Sequence, residues 1–160
     1  FLGALSLFSE PELEFGETGL TIKQGKNKVR YNYAAQETLA FPEKMINEPP
    51  SDAEFTLTDE NLKSLLKAGA VLSSTDLQIT GTEGKILCTV MDPKNPSANT
   101  FSVEVGDTDR DFDIYIKLEN IKLLPGNYKV TLSSKKLAKF DNTGSSYALY
   151  VANEKNSVWN

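Results

Sequence analysis

Along most of this chain apolar and polar residues alternate in short runs, as in "ELEF", "GLTIKQ" and "GKILCTVM". A period of two places alternate side chains on opposite faces of a half-buried strand. Runs at 12–15, 19–23, 28–33, 54–58, 76–80, 85–91, 100–105, 111–116, 128–132, 136–140 and 146–151 predict strands. Between them "ETG", "GTEG", "DPKNPSAN", "PGN" and "DNTG" supply the residues on which a backbone reverses. The expected class is α+β, with antiparallel sheets.

The period changes to that of a helix in three places. Over 59–72, Leu62, Leu65, Leu66, Gly69 and Ala70 fall on one stripe, with Thr58 as N-cap and Asp59 and Glu60 in the first turn. Lys63 and Lys67 fall on the other side, with Glu60 and Ser64. A second helix is expected over 117–124, Leu118, Ile121 and Leu124 inward and Lys122 outward, with Pro125 and Gly126 ending it. The third candidate is the apolar opening, "FLGALSLF".

The first two helices sit in a repeat. "TLTDENLKSLL" at 56–66 is nearly rewritten as "YIKLENIKLL" at 115–124, Glu60 aligning with Glu119 and Lys63 with Lys122. After each, three strands follow. The unit is strand, helix, three strands, present twice in full and once, at the start, without its opening strand. This predicts residues 1–35 as the second half of a truncated domain, 36–52 as a proline-rich connector and 53–160 as a complete domain with its short helices on one face. Because the chain begins at Phe1 inside an apolar element, a processed or incomplete chain is expected.

Composition narrows the chemistry. No run approaches the roughly 18 apolar residues of a membrane helix, and the first eight residues lack a signal peptide's basic flank; a soluble, cytoplasmic protein without membrane contact is expected. With no histidine and one cysteine, neither a proton shuttle of the usual kind nor a disulfide or thiolate-rich zinc site can be built, and Cys88 falls on a strand's buried face. A net charge of −5 argues against a general nucleic-acid coat, while leaving room for a local basic strip. Asp107, Asp109, Asp111 and Asp113 lack the glycine and distal glutamate of a calcium loop and read as a charged turn. "SSKKLAKF", with Lys135, Lys136 and Lys139, reads as an exposed hairpin or, alternatively, a nucleic-acid contact. Trp159, in a polar tail, is open to two readings, a disordered end or a docking contact. No nucleophile stands with a base, so no enzyme and no cofactor or metal is expected.

Repeated lysines on repeated helices admit two explanations: solvated surface charges inherited by duplication, or cations turned toward one polyanion. The order and spacing of "FLGALSL", "AEFTLTDENLKSLL", "LPGNYKVTL" and "AKFDNTGSSYALYVANE" resemble the sliding clamps, or DNA polymerase processivity factors, of T-even-type bacteriophages. The resemblance spans essentially the whole chain and corresponds to about the C-terminal two thirds of the family. It implies the DNA-clamp fold in a ring-shaped homotrimer that encircles duplex DNA without sequence preference, with a DNA polymerase and a clamp loader as partners, in the cytoplasm of an infected bacterium. It further implies a DNA-facing role for Lys63, Lys67, Lys117 and Lys122, and a partner-binding pocket at Phe41, Pro42, Tyr150, Val151 and Ala152. Subunits would join through the strands at 28–33 and 100–105. The reading from another class is a structural or interaction β-rich phage protein that does not bind DNA.

Overall fold

The computed structural model describes residues 1–5, 7–38 and 48–159, the side chain of Leu2 excepted. In chain order the elements are α1 (Leu2–Leu5), β1 (Glu12–Phe15), β2 (Gly19–Gln24), β3 (Asn27–Asn32), a 3₁₀ turn (Gln36–Thr38), β4 (Ala53–Leu57), α2 (Asp59–Leu72), β5 (Asp76–Thr82) and β6 (Lys85–Met91). They continue with β7 (Phe101–Asp107), β8 (Phe112–Lys117), a 3₁₀ turn (Leu118–Asn120), β9 (Tyr128–Ser133), β10 (Leu137–Asn142), β11 (Ala148–Ala152) and β12 (Val158–Trp159). No helix among the described residues is long and apolar enough to cross a membrane.

Two compact units divide the chain, Phe1–Ile46 and Asn47–Asn160. The first contains an antiparallel sheet in the order β1-β2-β3, with Leu20 and Ile22 buried on one face of its central strand. The second contains two antiparallel sheets, β11-β10-β9-β4 and β12-β8-β5-β6-β7.

Each full repeat lends its opening strand to the other. β4 pairs with β9, and β8 pairs with β5. The registers match residue by residue: Leu57 faces Tyr128 as Ile116 faces Leu77, Phe55 faces Val130 as Ile114 faces Ile79, and Ala53 faces Leu132 as Phe112 faces Gly81. Leu57 and Ile116 are 59 residues apart, whereas Leu77 and Tyr128 are 51 apart. The second copy is therefore 59 − 51 = 8 residues shorter between its opening strand and the next, roughly two helical turns. The inward residues of both sheets, among them Phe55, Ile79, Cys88, Ile114, Val130 and Phe140, join Leu62, Leu65 and Ile121 in one core.

α2 forms where expected because its ends are satisfied. The Thr58 hydroxyl accepts the N–H of Asn61 at 3.2 Å, and the chain leaves through Ser73 in the left-handed region, φ 55°. Its buried line runs through Leu62, Leu65 and Gly69, while Leu66 and Ala70, expected in the stripe, lie exposed.

The second helix does not form. β8 runs on through Lys117, and only one 3₁₀ turn follows. Lys117 stands 59 residues after Thr58, in the capping position, and offers no acceptor to the first free N–H groups. Eight missing residues leave too little length to offset helix nucleation, and Pro125 turns its predecessor away from helical backbone. Ile121 is buried as expected, but Leu124 is exposed, and its carbonyl accepts the Tyr128 hydroxyl at 2.8 Å. The apolar opening likewise yields only the single turn α1.

The polar tail folds back. Val158 and Trp159 pair with Asp113 and Phe112 of β8, and the two aromatic rings lie 4.8 Å apart at 39°.

Candidate nucleic-acid interface

Although one is a helix and the other a turn with a loop, the two repeated segments lie side by side. A Cβ on Gly69 would meet Leu118 Cδ1 at 2.9 Å, which places the start of the 118–126 segment against the second half of α2. At the other end Asp59 Oδ1 accepts the N–H of Gly126 at 2.8 Å, and the Asp59 N–H donates to Asn127 Oδ1 at 2.8 Å. The shorter segment therefore runs antiparallel along α2, from Gly69 back to Asp59.

Lys63, Lys67 and Lys122 are exposed on these segments. Lys63 follows buried Leu62 as Lys122 follows buried Ile121, again 59 residues on. Lys63 bonds Asp59 Oδ2 at 2.5 Å while its side chain stays 66% exposed. That bond, with the Gly126 N–H, holds the Asp59 carboxyl below its usual range. Lys67 and Lys122 have no ion pair among the described residues. Glu60 and Glu119 are exposed on the same segments, and with Asp59 the acidic groups there match the three lysines in number.

Lys117 corrects the expectation. Instead of facing outward from a helix, it ends β8, and its ammonium donates to both oxygens of Asp76, at 2.9 and 2.8 Å. The Asp76 side chain is 1% exposed and that of Lys117 29%. The bond to Asp76 raises the Lys117 pKa. This cation neutralises a buried carboxylate, which leaves Lys63, Lys67 and Lys122 as the exposed set.

Of the expected partner-pocket residues, Phe41 and Pro42 lie outside the described residues. On β11 the side chains alternate: Tyr150 is half-buried, Ala152 is exposed, and Val151 between them is turned into the core at 4% exposure. Val151 therefore offers no surface to a partner. Lys139, flagged in sequence only as part of a basic run, stands directly across from Tyr150, its Nζ 5.6 Å from the ring centroid.

Among the described residues no group of three or more His, Cys, Asp or Glu could hold a metal ion. The acidic residues near β8 are engaged elsewhere: Asp107 bonds Lys85 at 2.8 Å, and Asp113 accepts Gln78 and the Tyr115 hydroxyl, each at 2.9 Å. Burial pushes the Cys88 thiol up to about 12, which suits a core residue and not a nucleophile.

Comparison with known proteins fits this geometry. Residues 54–155 match the family described as gp45 sliding clamp, C terminal. The sliding clamp of Vibrio phage KVP40 is 30% identical over 162 residues, covering 96% of this chain and 72% of the relative. That of Enterobacteria phage T4 is 31% identical over 159 residues, covering 93% and 70%. Solved structures share the fold at lower identity. The DNA polymerase sliding clamp of Pseudomonas aeruginosa aligns with TM-score 0.56 and 12% identity, over 89% of this chain and 41% of that one. The Proliferating Cellular Nuclear Antigen of Entamoeba histolytica aligns with TM-score 0.53 and 20% identity, over 85% and 58%. With the family's C-terminal region matched and phage relatives similar over nearly its whole length, this chain belongs to the gp45 sliding-clamp family.

Proposed function

We propose that the chain works as part of a ring around duplex DNA, holding the replicative polymerase on its template and performing no chemistry of its own. The observation that carries this is the antiparallel pairing of α2 with the 118–126 segment, which sets Lys63, Lys67 and Lys122 on neighbouring exposed segments. Lysines on flexible stems meet phosphates without reading bases. Acidic neighbours keep the attraction weak, which permits sliding, and retention then depends on closure of the ring. The unit Asn47–Asn160 is read as one complete clamp domain, and Phe1–Ile46 as half of another with its connector. The workplace is the cytoplasm of the infected host, with a clamp loader to open the ring.

Ring closure into a homotrimer is assigned to two free sheet edges, β3 of one subunit and β7 of the next. Among the described residues each pairs on one side only within its own sheet. β3 carries Lys28 and Arg30, β7 carries Glu104, and beside β7 runs a groove of about 470 Å³ lined by Lys67, Ala68, Val71, Leu72 and Phe101. Opposite charges and exposed apolar surface suit a head-to-tail contact that closes by rotation.

The test is processive synthesis on a primed circular template with polymerase and loader. Replacing Lys63, Lys67 and Lys122 together by Glu should shorten the products, more so as salt rises; unchanged products would sink the lining assignment. Equal retention of the loaded protein on circular and open-ended DNA would favour instead a β-rich phage protein that does not encircle DNA.

A further inference from the structure

The outer face of the β11-β10-β9-β4 sheet carries charges that DNA contact leaves unused. Lys129 bonds Glu54 at 2.8 Å, and Lys139 bonds Asp141 at 2.8 Å. Lys139 also holds Glu48, which arrives from the segment leading into β4. A cleft of about 170 Å³ opens there, with Glu48, Pro49, Ser51, Lys139 and Asp141 in its walls. Exposure divides the three charged groups. The Lys139 side chain is 16% exposed and Asp141 38%, whereas Glu48 is 69% exposed. Asp141 is fixed two residues along the same strand; Glu48 is the carboxylate that solvent and other ligands can replace.

We propose that Lys139 reads a carboxylate on the protein partner: an extended peptide seats an apolar side chain on the Tyr150 ring beside Ala152 and places an acidic side chain on Lys139 in exchange for Glu48. The inference rests on the assignment of Tyr150 and Ala152 to a partner surface. The exchange keeps two carboxylates on a largely buried ammonium, so no charge is left uncompensated. A peptide with a neutral group at that point must leave Glu48 in its path or leave Lys139 short of a partner. The nearby ring face adds a cation–π attraction that helps hold the ammonium beside the apolar seat.

Calorimetric titration of the whole chain with acetyl-Gly-Leu-Ser-Glu-Leu-Gly-amide and its Gln analogue tests this. The Glu peptide should bind about tenfold more tightly than the Gln peptide, as expected for one charge-assisted contact, and only its binding should weaken with salt. Lys139→Met should make the two peptides equal, and Glu48→Gln, a surface change that spares the fold, should tighten the Glu peptide several-fold. Equal binding of both peptides by the native chain, lost with Tyr150→Ala, would overturn the role of Lys139 while sparing the partner surface. Binding that Tyr150→Ala leaves unchanged, or no binding of either peptide at about 1 mM, would overturn both.

Discussion

Lys117 and Asp76 are direct neighbours across β8 and β5, and the ammonium of one reaches both carboxylate oxygens of the other, at 2.9 and 2.8 Å. Asp76 also accepts the Thr75 hydroxyl at 2.5 Å. The cation therefore stands where the first repeat keeps its helix cap, and it serves the sheet. The difference between the copies at this position, Thr58 against Lys117, makes a carboxylate tolerable inside the fold, and the cap it removes is one of three obstacles to a second helix, beside the eight missing residues and Pro125.

Lys117→Met should cost about 3 kcal/mol in urea denaturation at neutral pH, because it leaves Asp76 buried without its counter-charge. Adding Asp76→Asn should recover most of that loss. Since the bond to Asp76 raises the Lys117 pKa above its ordinary 10.5, its contribution is fully present below that pH and is lost as pH rises through the raised value. The native chain should therefore lose stability above about pH 10.5 by more than the Lys117→Met variant does. DNA retention supplies the contrast: Lys117→Met should leave its salt dependence unchanged, while Lys122→Ala should lower the slope by roughly 0.9.

Thr58→Ala should lower stability by about 1 kcal/mol, the usual worth of an N-cap side chain, with a fall in Tm of about 4 °C. The reverse exchange should not build a helix. Lys117→Thr restores a capping hydroxyl, but the segment remains eight residues short and still meets Pro125. Unchanged helical circular dichroism in Lys117→Thr is the expected result; a gain of a helix's worth of signal would show that the cap alone was missing.

The strands were legible because alternation is a local signal, and α2 because cap, stripe and length agree. Which strand pairs with which was not legible: the exchange of β4 and β8 depends on registers between residues far apart, such as Leu57 with Tyr128. The same limit hid the fate of Lys117, whose partner lies 41 residues away. Lys63 and Lys122 could be assigned to the surface from the buried Leu62 and Ile121 beside them, and Lys67 from its place one helical turn after Lys63. Lys139 carried a faint signal, Asp141 two places along one strand face, but its contact with Glu48 spans 91 residues.

Gly69 tests the packing of the two segments. A methyl group there crowds the flexible end of Leu118, at 2.9 Å, touches Val90 at an ordinary 3.7 Å, and removes a glycine from a helix interior. Clash and helix preference oppose each other at about 1 kcal/mol, so Gly69→Ala should be near neutral. Gly69→Val adds bulk that Leu118 cannot yield to, with Val90 behind it, and should cost at least about 2 kcal/mol. Equal stability of the two variants would mean that the 118–126 segment does not press on α2.

Trp159 is the sole tryptophan, so its emission reports the C-terminal strand alone. Packed on Phe112, with its ring nitrogen buried and without a hydrogen-bond partner among the described residues, it should emit well to the blue of a solvated indole. The strand is held just before it, where Ser157 Oγ accepts the N–H of Tyr115 at 2.9 Å and the Glu154 N–H donates to the Tyr115 carbonyl at 2.8 Å. Ser157→Ala removes one of these bonds, worth about 1 kcal/mol, and leaves an edge N–H of β8 unpaired. The expected outcome is a red shift of the emission and a fluorescence transition at lower urea than the one followed by circular dichroism. Coincident transitions and an unmoved emission maximum would mean that the ring contact with Phe112 holds β12 without help from Ser157.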